Sequence, residues 1–267
     1  MGESQEKEKI AELCGAIMGD GWIQSNKKSF FLAGDPVEDK EYYDKVISKI
    51  IREVLVLVKP KEFSYWGVYG ISIHKKDYIE KLLNWGLPKG KKVGRAFVPK
   101  WVIHSDNKIK TAFIRGLFDT DGCVFCQKDY TKYADNFNSE YHTKIRLRIS
   151  SVSQRLIEQV FCLCQTLRFR CVTRKIRRGF KNNRNNHDVY ILEINEGESI
   201  SRWFKSLNPS NIKHVSKYLI WKKFGFCPPN TNLRQRKDIL KKIINPYKLY
   251  VRECRSGQTR QTQNLLA

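Results

Sequence analysis

Two short stretches of this chain hold the residue types best suited to chemistry. Leu13-Cys-Gly-Ala-Ile-Met-Gly-Asp-Gly21 and Ile114-Arg-Gly-Leu-Phe-Asp-Thr-Asp-Gly122 lie 101 residues apart. Each has glycine at its third position, a small residue at its seventh, and then Asp-Gly. At helical spacing Gly15 and Gly19 share one face, and so do Gly116 and Thr120. Small residues on facing surfaces let two helix backbones come close. Gly21 and Gly122 suit a left-handed turn that ends a helix. Asp20 and Asp121 then stand at helix C-termini, among unpaired carbonyls and partial negative charge. A carboxylate there costs up to about 1 kcal/mol, and two such ends side by side cost more. A hard divalent cation relieves that cost, because carboxylates and backbone carbonyls are the ligands Mg²⁺ and Ca²⁺ prefer. Paired carboxylates with bound metal also suit in-line displacement at a phosphodiester. A single Asp-Gly reads as an ordinary helix stop, but two in register with a repeat do not. An EF-hand beginning at Asp119 fails, because Gly122 comes two places early and Tyr130 stands where the closing glutamate belongs.

The surrounding elements restart at the same interval. A helix over 7–18, strands near 21–26 and 29–34, and a helix with Tyr43, Val46, Ile47, Ile50, Ile51 and Val54 on one face come first. Strands at 62–66 and 68–74 and a helix at 76–85 complete the unit. Pro88, Gly90 and Gly94 mark a basic linker. The order then repeats: helix 106–119, strands 123–130 and 142–150, helix 152–167, strands 169–178 and 187–194, helix 197–206. The expected fold class is α+β, two pseudo-symmetric αββαββα repeats with antiparallel sheets. The repeats cover residues 7–100, linker included, and 106–206. A helical extension over 207–254 follows, with helices at 211–223 and 234–244, and then a disordered tail over 255–267. Duplication within one chain implies a monomer with its site on the pseudo-two-fold axis.

Charge narrows the partner. Fifty Lys and Arg against 27 Asp and Glu leave a net charge of +23, which favours a polyanion. A membrane is not expected, since no apolar run is long enough to span one. The polar opening MGESQEKEKI is unlike a secretory signal. The expectation is an intracellular, reducing compartment, with the cysteines as thiols. Cys123 and Cys126 fall on a strand and face opposite sides. Cys162 and Cys164 are about 200° apart on a helix, so neither pair reads as a zinc site.

Segment 143–150 alternates, with Lys144, Arg146 and Arg148 on one side and Ile145, Leu147 and Ile149 on the other. A basic sheet face is what a β-ribbon reader of the DNA major groove needs. Arg170, Arg174, Lys175, Arg177 and Arg178 add charge and lead into a basic loop containing Lys181. In the first repeat Lys27, Lys28, Lys61, Tyr65 and Trp66 are candidates, although Tyr65 and Trp66 fit a core equally well. His74 reads as a strand-end histidine.

The paired motifs resemble the LAGLIDADG family of homing endonucleases in its single-chain, two-motif form. The resemblance covers both motifs and the element order from residue 8 to 205. It implies a saddle of two antiparallel sheets on double-stranded DNA with a long specific target. It also implies Mg²⁺, with Ca²⁺ or Mn²⁺ able to substitute, bound by Asp20 and Asp121 for cutting both strands across the minor groove with 3′ overhangs. Carbonyls of Gly19 and Thr120 are implied as further ligands. Family members often place Gln or Lys at the end of each repeat's second strand, where this chain has Gly34 or Asp35, and Ser151. For the family's central lysine, Lys75 and Lys76 are the candidates. The competing reading is a non-catalytic nucleic-acid binder, either a maturase acting on intron RNA or a DNA-binding regulator. A ribosome-associated basic protein would explain the charge but not the duplicated motif.

Overall fold

The structure, a computed structural model, describes residues 2–128, 141–177 and 188–249. These fall into two compact units, one within Met1–Cys123 and Leu147–Val215, the other within Val124–Arg146 and Ser216–Ala267.

Helix α1 runs Glu3–Asp20, starting earlier than the sequence pattern suggests because Glu3 and Glu6 suit the first turn. Its second half, Ala11–Met18, is buried all round, which marks a central helix. Strands β1 (Gly21–Ile23) and β2 (Phe30–Gly34) follow. Between them lies a tight turn in which Lys27 takes a positive φ of 57°. Next come α2 (Lys40–Tyr42), a π-helical segment (Tyr43–Ile47) and α3 (Ser48–Val54), continuous along the chain. The apolar face predicted for 43–54 is buried, Val46 only in part. Strand β3 is only Lys61–Phe63, because a 3₁₀ turn at Ser64–Trp66 and left-handed Gly67 (φ 62°) end it. Then come β4 (Val68–Ile73), α4 (Lys76–Asn84) and the short α5 (Lys100–Ile103).

The second repeat comprises α6 (Asn107–Asp121), β5 (Gly122–Gln127), β6 (Lys144–Ser151), α7 (Gln154–Thr166), β7 (Val172–Arg177), β8 (Asp188–Ile194) and α8 (Gly197–Leu207). Asp106 caps α6 by accepting the Ile109 amide at 3.0 Å. Asn208, left-handed at φ 49°, ends α8. The two four-stranded sheets have matching orders, β1-β2-β4-β3 and β5-β6-β8-β7, and the pairs β1–β2, β2–β4, β3–β4, β6–β8 and β7–β8 are antiparallel. Each sheet turns one apolar face inward: Ile23, Phe30, Leu32, Ile71 and Ile73 in the first, Leu147, Ile149, Leu192 and Ile194 in the second. The fold is therefore α+β with two topologically equivalent repeats.

After α8 the chain forms α9 (Ile212–Phe224) and α10 (Leu233–Leu240), the latter opened by an Asn232–Gln235 capping box. Ile220, Cys227 and Ile239 form the core of the second unit, with Cys126, Trp221 and Phe224 packed on it. Its Arg236 is buried and satisfied, donating to Ser216 Oγ at 2.9 Å and to the Thr231 carbonyl. No helix among the described residues is long and apolar enough to cross a membrane.

Candidate active site

Helices α1 and α6 touch backbone to backbone, and the contacts obey the 101-residue repeat. A Cβ on Gly15 would overlap the Phe113 carbonyl and lie 2.8 Å from the Leu117 nitrogen. A Cβ on Gly116 would overlap the Glu12 carbonyl and lie 2.9 Å from the Ala16 nitrogen. Each glycine thus meets the pseudo-symmetric counterpart of what the other meets. One turn on, a Cβ on Gly19 would strike Thr120 Oγ1 and approach Asp121 Cγ to 3.3 Å. Thr120 folds its hydroxyl back onto its own helix, donating to the carbonyls of Gly116 (3.0 Å) and Leu117 (3.1 Å). Across the helices, Arg115 Nη2 meets Glu12 Oε2 at 2.5 Å.

The two helices end at Asp20 and Asp121, but not through the left-handed turn expected from the sequence. Gly21 (φ −86°, ψ 156°) and Gly122 (φ −74°, ψ 159°) are extended. Glycine is required there by space. A Cβ on Gly21 would lie 2.7 Å from the Ile17 carbonyl oxygen, and one on Gly122 would overlap that of Phe118. The chain passes directly from helix to strand, holding each carboxylate beside the helix's last carbonyls.

The electrostatics show what that placement costs. Burial raises the Asp20 carboxyl to about 7, helped by Asp121 and Asp39, while Lys213 and Lys92 pull it down. Burial also raises Asp121, against the same two lysines. Lys92 is lowered by burial and held up by the two aspartates. Its ammonium donates to the carbonyls of Ile17 (3.1 Å), Gly21 (2.9 Å) and Gly19. A fixed cation therefore offsets the negative end of α1. Tyr43, on the π-helical segment, donates its hydroxyl to Asp20 Oδ2 at 3.5 Å. Asp39 is buried behind Asp20. It accepts from Lys213 Nζ (2.8 Å), Asn211 Nδ2 (2.7 Å) and the Asp35 amide (3.0 Å). Asn211 also donates its side chain to the Asp119 carbonyl at 2.8 Å. Asp119, raised to about 7 by burial, accepts the amides of Ser210 and Asn211.

Asp20, Asp121, Gly19 and Thr120 are brought together. Lys75 and Lys76 are not among the main charges acting on Asp20 and Asp121. Lys75 precedes α4 and lies 6.0 Å over the Tyr78 ring, and Lys76 faces Glu80 at 3.7 Å. Lys92 and Lys213 supply the cations instead. Gly34 backs onto the site, where a Cβ would lie 2.8 Å from Asp39 Oδ2 and 3.3 Å from Asp20 Oδ2. Asp35 accepts the amides of Val37 and Glu38 in a local turn.

On the second sheet the alternation of β6 is as expected, with Ile145, Leu147 and Ile149 buried and Lys144, Arg146 and Arg148 partly exposed. Arg148 and Arg174 converge on buried Glu193 at 3.0 and 2.7 Å. Lys175 stands on the other face of β7 and pairs with Asp188 at 2.6 Å. Arg170 meets Glu196 at 3.6 Å. The backbone of Arg177 pairs with Asp188; Arg178 and Lys181 lie outside the described residues. On the first sheet Lys27 and Lys28 sit in the β1–β2 turn, and Lys61 lies 5.3 Å over the Phe63 ring. Tyr65 and Trp66 are on the surface, 95% and 53% exposed.

The sequence pattern does not single out Lys92, Lys213, Asp39, Asn211 or Tyr43 as site residues. The clue to Lys92 was a lysine pair between Gly90 and Gly94, inside a stretch that reads only as linker.

Residues 108–208 match the family described as LAGLIDADG-like domain. The replication factor C small subunit of Methanocaldococcus jannaschii is 29% identical over 153 residues, covering 54% of this chain and 8% of that protein's length. The chain thus spans a small fraction of that relative. Among solved structures, a mesophilic variant of the homing endonuclease I-DmoI is similar at 18% identity and TM-score 0.47, over 76% of this chain and 96% of that one. I-DmoI in complex with DNA and Mn gives 19% identity and TM-score 0.46, over 77% and 98%. The N-terminal LAGLIDADG domain of DUF199/WhiA gives 12% identity and TM-score 0.47, over 77% and 83%.

Proposed function

We propose that this chain, which carries a LAGLIDADG-like domain over residues 108–208, is a site-specific endonuclease that cuts both strands of duplex DNA with a divalent metal. The observation that carries the reading is the pairing of Asp20 and Asp121 at the ends of two helices in backbone contact, with burial and mutual repulsion raising Asp20 to about 7. Such a pair is poorly stable as two bare anions, and a hard cation removes the conflict. The donor set fits Mg²⁺: two carboxylates, with remaining positions left to water, phosphate and carbonyls such as that of Thr120. No group of three acidic, histidine or cysteine side chains that could hold a metal occurs among the described residues, so the substrate's phosphates would complete the sphere. When bound, the metal lowers the pKa of water and stabilises the leaving oxygen.

The chain's own residues do the rest. Tyr43 and the Asp39–Lys213 pair hold the Asp20 side in place. Lys92 neutralises the α1 carbonyls of Ile17 and Gly19 so that the carboxylates approach phosphate without the full helix-end field. The basic face of β6 and the positive charge of the chain hold the duplex. Both halves of the site come from one chain, which suits a monomer and a staggered cut leaving 3′ overhangs.

One observation favours a second reading. The Lys92 ammonium already occupies the Gly19 carbonyl, where a metal would also bind. A resident cation of this kind suits a nucleic-acid binder without catalysis, acting on DNA or intron RNA. Selection from a randomised duplex library separates the two. The nuclease reading expects cutting with Mg²⁺ or Mn²⁺ and a loss of about 100-fold or more in Asp20→Asn and Asp121→Asn with binding retained. Specific binding without cutting in any divalent metal establishes the second reading.

A further inference from the structure

The open face of the first sheet is aromatic. Register places Trp22, Phe31 and Ser72 side by side across β1, β2 and β4, with Phe63 opposite Val68 at the β3 edge. Trp22 stacks on Phe31 at 5.9 Å, and Trp66 meets Phe31 edge-on at 5.3 Å and stacks on Phe63 at 5.9 Å. Trp22 and Trp66 are 42% and 53% exposed. A soluble chain seldom leaves such a cluster uncovered without a use for it.

The polar neighbours say what covers it. Lys27 and Lys28 lie in the turn that joins β1 to β2, and Lys61 stands over Phe63. The strand positions on this face are Trp22, Phe31, Ala33, Lys61, Phe63, Val68, Gly70 and Ser72, with no carboxylate among them; Glu62 points to the other face with Tyr69. Apolar rings bordered by lysines and free of acids suit a polyanion that also offers apolar groups. In duplex DNA the major groove offers one such group, the C5 methyl of thymine. Phenylalanine rings neither donate nor accept hydrogen bonds, so Phe31 and Phe63 distinguish bases only through apolar contact. The equivalent face of the second sheet has exposed Val172 and Ile176 on β7, but its centre is Arg148, Arg174 and buried Glu193, and the two guanidinium groups suit guanine O6 and N7.

We infer that the first repeat reads thymine methyl groups through the Trp22–Phe31–Phe63–Trp66 cluster, so that the target is asymmetric, with one thymine-rich half-site. This rests on the proposed binding of duplex DNA. The test begins with duplexes selected by the full-length protein from a random library, in Ca²⁺. Thymines are then replaced by uracil, which removes only the methyl group, in one half-site at a time. One half-site should lose about fourfold in affinity per methyl removed, as expected for burying one such group, and the other should be insensitive. In Trp66→Ser and Trp22→Ser proteins the uracil penalty should shrink, because the receiving surface is gone. Equal affinity for thymine and uracil duplexes in both halves overturns the inference and leaves the nuclease reading intact. A uracil penalty unchanged in both variants also overturns it, since the methyl groups would then be read elsewhere. Failure to bind any duplex overturns the nuclease reading and this inference with it.

Discussion

On the open face of β1-β2-β4-β3, Trp22 and Phe31 stack across neighbouring strands; on that of β5-β6-β8-β7, Arg148 and Arg174 converge on Glu193. The strand orders are the same, and both inward faces hold buried aliphatic residues. A one-residue slip would expose the whole inward set, so the core face fixes register, while the outer face is left to vary with what it touches. At the helix pair no such freedom exists. Gly15 and Gly116 meet equivalent backbone atoms, and neither can change without moving the other helix. The duplication has thus been kept where backbones meet and lost where side chains face outward.

The largest expected effect tests the shared part. Gly15→Ala and Gly116→Ala should each cost about 3 kcal/mol, because the added methyl meets backbone that cannot rotate away. Urea unfolding should give equal losses, and a clear inequality would break the symmetry claimed for the interface. Next comes the paired site, where the halves are already unequal. Burial pushes the folded Asp20 carboxyl up to about 7 from its ordinary 3.8, so its ionisation opposes folding. That penalty is absent below about pH 4, grows as pH rises towards 7 and is complete above it. In metal-free protein Asp20→Asn should therefore stabilise by about 2 kcal/mol at pH 8 and by almost nothing at pH 4. Thermal melts at both pH values check this, and added Mg²⁺ should narrow the gap at pH 8 by stabilising the parent. An equal gain at both pH values would show that the aspartate is not under strain. Smaller effects belong to the outer faces. Arg174→Met should cost about 1 kcal/mol, since Glu193 keeps Arg148 but loses one charged partner. Trp66→Ala should cost only about 0.5 kcal/mol, one exposed ring contact among several. If Trp66→Ala proved the costlier in thermal melts, the aromatic face would be part of the core and not a surface for contact.

Much of the shared part was legible in the sequence, because small residues at helical spacing and alternating apolar residues are local signals. The motif glycines, Asp20 and Asp121, and the β6 alternation are of this kind. The supports of the site are not local. Lys92 reaches two α1 carbonyls and that of Gly21 from a linker, and Asn211 reaches Asp39 across 172 positions. No periodicity announces either. Lys75 and Lys76 fit a central lysine only by their position in the chain, and the structure directs them to Tyr78 and Glu80. Lys175 and Arg174 share a charge but not a face, because neighbours on a strand point opposite ways. The extended glycines carry a similar lesson: a glycine before a strand can be demanded by crowding as well as by a left-handed turn.

Asn211 has a practical consequence for anyone treating the repeats as interchangeable parts. It lies beyond α8, yet its side chain joins Asp39 of the first repeat to the Asp119 carbonyl of the second, and its amide binds the Asp119 carboxylate. A cassette cut at residue 206, where the second repeat's sequence pattern stops, would leave both carboxylates buried with fewer donors. A graft or chimera built from these halves should carry the chain through Lys213, so that the clasp travels with the parts it fastens.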